Sequence, residues 1–263
     1  MLRELSSLLR GAPEDLRAWI DHPDASKLRL CIFTIITGFG IYGLTTGLWR
    51  APLMGVYVAI KMPGLIFITL ICNGLLNGML GLLLGSGLGF RQSLMAQLVS
   101  FSIAAMVLGA IAPVTFFMAL NAPAADAPNA GSAHTNFLVT HTLLIAFAGV
   151  IANLHLAKLL IATTPTRQIA ATTLFSWLLG NAFVGAQLSW ILRPFFGTPT
   201  MKVAFLRDDP FNGTFYEVVW SSIDKASGGF GIPALFFTGA ALLWMHLPVI
   251  KLLSRKPPEN PAQ

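Results

Sequence analysis

The chain has 263 residues, 55% hydrophobic and only 11% charged, against roughly a quarter charged in an ordinary soluble domain. Mean hydropathy is +0.70, and the apolar residues fall in blocks too long for a soluble core, so the composition is that of a polytopic membrane protein. Net charge is +6, but the basic residues are scattered around the apolar blocks rather than clustered with aromatics, which argues against a nucleic-acid partner.

The first 27 residues are amphipathic. In "LRELSSLLRG", Leu2, Leu5, Leu8 and Leu9 share one helical face. In "APEDLRAWI", Pro13 suits a first helical turn, Glu14 and Asp15 suit the positive end of the helix dipole, and Leu16, Trp19 and Ile20 form an apolar face. This predicts an interfacial helix seated on the cytoplasmic leaflet. The first long apolar run begins near Leu28 with no small-residue cleavage site after it, so the first helix is predicted to remain as an anchor.

Crossing the hydrocarbon takes about 20 apolar residues. Six stretches meet this, at 28–49, 63–90, 92–120, 136–162, 168–196 and 231–253. Between the first two, "RAPLMGVYVAIKM" at 50–62 is amphipathic and reads as interfacial or re-entrant. The predicted fold is an all-α membrane bundle of about six transmembrane helices. It comprises a cytoplasmic segment 1–27, one transmembrane domain 28–253 with a non-cytoplasmic loop 197–230, and a tail 254–263. Of the 17 Lys and Arg residues, eleven fall on the side of the two termini. Arg50, Lys61, Arg193, Lys202, Arg207 and Lys225 fall on the other. That bias predicts both termini in the cytoplasm, with the bacterial inner membrane as the expected location.

All eleven acidic residues lie outside the spans, which argues against a proton-coupled pump, a cation channel with an acidic ring and catalysis by paired carboxylates. Cys31 and Cys72 sit in apolar runs without metal-ligand spacing. The five histidines, His22, His134, His141, His155 and His246, show the spacing of no known metal site and read as structural. No catalytic residue, metal or cofactor is predicted.

The polar groups within the spans are mostly neutral. Asn73 and Asn77 share a helix face, with the small-residue pairs Gly74/Gly78 and Gly81/Gly85 beside them. Small residues let helix backbones approach, and an amide can hydrogen-bond across, so these six are candidate packing residues. The alternative reading places Asn73, Asn77, Asn181 and Gln187 along a neutral polar path for a solute or lipid.

Toward the end of the fifth span, Gln187, Trp190 and Arg193 step along the helix. A terminal Trp and Arg form an interface anchor. The following loop holds four of the eleven acids beside dense aromatics. "DDPFNG" is a turn signal, and "TFYEVVWSSI" fits a helix or a strand equally well. Arg193 is expected to pair with Asp208, Asp209 or Glu217 and so pin the loop. Trp190, Arg193, Asp208, Asp209, Tyr216, Glu217 and Trp220 form the candidate loop anchor or partner surface.

The stretches "IYGLTTGLWRAPLMGVYVAIKMPGLIFITL", "NGMLGLLLGSGLGFRQSL" and "GAQLSWILRPFFGTP…FLRDDPFNGTFYEVVW", with the leader "LRELSSLL…PEDLRAWI", resemble bacterial membrane proteins grouped with the Yip1 family. The resemblance implies a cytosolic N-terminus and a helical bundle. The chain has six predicted spans where Yip1 members typically have five, and it lacks their Asp-Leu-Tyr-Gly-Pro-type signature, so GTPase binding is not carried over. The expected function is non-enzymatic: a scaffold, assembly or accessory subunit of a membrane complex. Its expected partners are membrane lipids and other membrane subunits or further copies of itself. A transporter or lipid-handling protein is the alternative.

Overall fold

The computed structural model describes residues 2–10, 12–21, 24–198, 201–218 and 231–254. They form α1 (Leu2–Arg10), α2 (Pro13–Asp21), α3 (Ala25–Leu48), α4 (Pro52–Leu83), α5 (Phe90–Asn121), α6 (Ala130–Thr163), α7 (Arg167–Ile191) and α8 (Gly231–Ser254). Five of these, α3 to α7, are long and apolar enough to cross a membrane. With the apolar α8 they make an all-α membrane bundle, and the described residues contain no strand.

The leader helix α2 and the last turn of α8 lie at the same end of the bundle. Arg17 of α2 donates to the carbonyl of Ala162 at the end of α6, and Arg167 at the start of α7 donates to the carbonyl of Leu252 at the end of α8. Part of the leader's apolar face is turned onto the bundle. Leu8, Trp19 and Ile20 are all buried, and the imidazole of His155 bonds the carbonyl of Leu9. Asp24 caps α3, its carboxylate accepting from the Lys27 N–H at 2.8 Å. That backbone bond holds the Asp24 carboxyl below the usual carboxylate range.

The largest departure from the sequence reading is at 50–62. This segment is not a separate element: residues 52–62 are the first third of the 32-residue α4, which runs through Pro63 without a break. A proline early in an apolar run resembles a helix start, but in lipid a neighbouring helix can support an internal one. Here that neighbour is α3. A methyl group on Gly43 would lie 2.6 Å from the Val58 carbonyl oxygen, and one on Gly47 would lie 2.6 Å from that of Met54. Glycines one turn apart thus bring the two backbones into contact along the whole segment. Further along α3, a Cβ on Gly38 would overlap the Ala105 carbonyl of α5.

Smaller differences concern helix ends, and the second span, expected to reach 90, ends at Leu83. The fifth span, expected to reach 196, ends at Ile191, and Pro194 and the left-handed Gly197 turn the chain back over the bundle. The fourth begins at Ala130, six residues earlier than expected. The core is filled by Trp177, Tyr42, Ile35, Ile103, Leu108 and Leu160, all under 2% exposed. The outer surface carries Ile71, Leu83, Phe117, Phe175 and Phe183, each at least 60% exposed. Apolar exposure on that scale suits a lipid-facing sheath rather than a water-facing surface.

Candidate functional site

Three of the four residues expected to line a polar path do come together, as a hydrogen-bonded cluster. Asn73 of α4 donates to the Gly180 carbonyl of α7 at 3.0 Å and to Asn181 Oδ1 at 3.1 Å. Asn77, one turn on, donates to Asn181 Oδ1 at 3.1 Å and to Gln97 Oε1 of α5 at 2.9 Å. Trp177 donates its indole N–H to the Asn77 carbonyl at 2.8 Å. Asn73 and Asn77 are 2% and 0% exposed; both donate to the half-buried Asn181, and the buried Asn77 Oδ1 has no hydrogen-bond partner among the described residues. The fourth, Gln187, lies apart and accepts from the Phe215 N–H of the loop.

The glycines beside the cluster divide. Gly74 faces Leu94, and Gly78 and Gly81 leave room for Phe90 and for Ser86, Ser93 and Trp177 respectively, as packing residues do. Gly85 is not one of them, because α4 has already ended at Leu83. Its φ is +75°. The Gly85 N–H bonds the Leu82 carbonyl and the Ser86 N–H bonds the Gly81 carbonyl. That is a Schellman cap, and the position wants glycine for its left-handed backbone.

At the other end of the bundle, the chain after α7 folds back and is held by cations. Lys61 is 2% exposed, ten residues into α4. It donates to the Pro194 carbonyl at 2.7 Å, and its ammonium lies 5.0 Å from the Phe205 ring centre and 5.8 Å from that of Phe195. Arg50, in the α3–α4 turn, donates to the carbonyls of Thr198 and Met201 at 3.1 and 2.7 Å. Phe196 packs its ring 5.4 Å from His141, whose Nδ1 bonds the Tyr42 hydroxyl at 2.7 Å. Tyr57 and Phe205 meet edge to face. A buried charge is costly unless paired and hydrogen-bonded. Here a carbonyl and two aromatic faces do the compensating.

The outer part of the loop is organised by Trp190. The Arg193 guanidinium lies flat on its ring at 3.1 Å from the centre, and that of Arg207 lies at 5.0 Å. Arg207 also donates to the carbonyls of Pro210 and Asn212. Among the described residues the expected Arg193 ion pairs do not form: it pairs with none of Asp208, Asp209 or Glu217. Asp208 and Asp209 are exposed. Glu217 has another task, accepting from the Thr214 N–H at 2.9 Å while the Thr214 hydroxyl accepts from the Glu217 N–H at 3.1 Å. This reciprocal capping box starts a helical turn at 215–218 and settles the helix-or-strand ambiguity there. Arg193 is held instead by the indole and by the Trp190 carbonyl. Desolvation, and then the charge of Arg207, lower its pKa from the ordinary value, the direction expected of a cation with no acid partner.

"DDPFNG" turns as its composition suggests, with the Asn212 N–H bonded to the Asp209 carbonyl and Gly213 at φ +71°. The Tyr216 hydroxyl reaches the Phe183 carbonyl, and the two rings stack at 4.8 Å. The loop is therefore clasped to the outer side of α7, and Phe211 stands 81% exposed at its tip. Trp220 lies outside the described residues.

Sequence reasoning missed the buried role of Lys61 and the amide of Gln97. Gln97 carried a signal, an amide within an apolar run. Lys61 carried none once 50–62 was read as interfacial. No family model matches the chain, and neither a curated protein nor a solved structure does.

Proposed function

We propose that this protein is a non-enzymatic scaffold or assembly subunit of a membrane complex, set in a bacterial inner membrane with both termini cytoplasmic. It presents the loop after α7 as its recognition surface. The observation that carries this reading is the latch of Lys61 and Arg50 onto the Pro194, Thr198 and Met201 carbonyls. Charges drawn into the bundle end are used to fix an external loop, and that loop displays an apolar tip at Phe211. Rigid presentation of an exposed aromatic side chain lowers the ordering cost of binding and suits a hot-spot contact. The transporter alternative needs Asn73, Asn77 and Asn181 free to meet a solute, whereas they bond to one another. The likeness to Yip1-type bundles is part of the same proposal and adds nothing to the site.

The test is co-purification in mild detergent with a photo-crosslinking residue at 211. A specific protein adduct is expected, and Phe211→Ser should reduce partner recovery about tenfold while leaving thermal unfolding unchanged, as truncation of an interface hot spot does. Recovery of the monomer alone, with no adduct, would overturn the reading.

A further inference from the structure

A groove of about 790 Å³ runs between α6 and α8. Its walls include Phe147 and Leu154 from α6 and Trp244 and Leu247 from α8, and it also contains Lys158 and Lys251. The two helices run the same way, and Lys158 lies eleven residues beyond Phe147 while Lys251 lies seven beyond Trp244. At 1.5 Å per residue the ammoniums therefore share one end of the groove, with roughly 10–16 Å of apolar wall behind them. That end is the one where α2 packs. Of the other cations there, Arg17 bonds Asp21 and the Ala162 carbonyl, and Arg167 bonds the Leu252 carbonyl. The ammonium groups of Lys158 and Lys251 have no hydrogen-bond or ion-pair partner among the described residues.

We infer that this groove is a binding site for one anionic phospholipid, with the phosphate between Lys158 and Lys251 and an acyl chain along the apolar wall. The volume falls in the range of small-molecule sites. The polarity is graded as a lipid's is, with two cations at the mouth and an apolar wall behind them. Basic pockets between membrane helices take acidic head groups for this reason. A partner helix lying in the groove would leave both ammoniums unmatched unless it brought its own acid. A free phosphate would find nothing to gain from the apolar wall. The inference is independent of the scaffold reading, which rests on the opposite end of the bundle.

The test uses the full chain, delipidated in mild detergent, with bound lipid counted by native mass spectrometry. Phosphatidylglycerol should bind at one copy, more tightly than phosphatidylcholine, and inorganic phosphate should not displace it. Lys158→Gln with Lys251→Gln should weaken phosphatidylglycerol about thirtyfold, from about tenfold or less per lysine at a charged lipid surface. Either single variant serves if the pair fails to fold. Leu247→Trp, which fills the groove and keeps both cations, should also expel the lipid. A photo-crosslinker at 247 should give an adduct of phospholipid mass. Equal binding of the two lipids, undiminished binding by the lysine variants, displacement by phosphate or a protein adduct at 247 would each overturn the site.

Discussion

Two of the places where the bundle buries polar groups treat them differently. Between α4, α5 and α7 the amides of Asn73, Asn77, Gln97 and Asn181 form a neutral cluster that joins three helices. Near the start of α4, the charged Lys61 joins no helix to another; it holds the returning chain at Pro194. An amide both donates and accepts, so amides on facing helices can satisfy each other. An ammonium only donates, and here it finds a carbonyl where the backbone has left helical hydrogen bonding. The neutral cluster is thus expected to contribute to the stability of the whole bundle, and the lysine to the order of one loop.

Lys61→Met should separate the two most sharply. A hydrogen bond to a charged group is worth about 1.5–3 kcal/mol, so tryptic cleavage after Lys202 should rise about tenfold or more. Cooperative unfolding should change little, because removing a buried charge while keeping the volume also removes its desolvation cost. Equal cleavage rates would erase the distinction. Asn77→Leu should do the reverse. It removes the links to Gln97 and Asn181, and at about 0.6–1.7 kcal/mol for interhelical bonds in membranes the loss should appear as a lower unfolding temperature with unchanged loop cleavage. If the loop were released as well, the two regions would be one cooperative unit. The smallest effect is expected of Arg193→Ala. A partly exposed cation–π contact is worth roughly 0.5–1 kcal/mol, so loop cleavage should rise a few-fold. Because the described structure gives Arg193 no acid partner, that rise should be nearly independent of salt. A strong salt dependence would restore the ion pair expected from the sequence.

Much of the architecture was legible in the sequence. Runs of apolar residues can mean little else in a chain with 11% charge, and the Asn73/Asn77 face and the "DDPFNG" turn follow from helical spacing and turn chemistry. The region from 50 to 62 was not legible. Its amphipathic pattern and Pro63 fit an interfacial helix as well as a buried one, and the choice rests on Gly43 and Gly47 of another helix. Arg193 was misassigned for a related reason: three acids were near in sequence, but the nearest good surface in space was the Trp190 ring.

The sequence by itself determined that the chain lives in lipid as a helical bundle, because hydrogen-bonding every backbone group without water leaves a long apolar segment few other forms. It also placed Asn73 and Asn77 on one helix face. Only the tertiary structure decided what each polar side chain meets. Partners such as Lys61 and Pro194 lie 133 residues apart, and no local pattern encodes a contact between a helix and a returning loop.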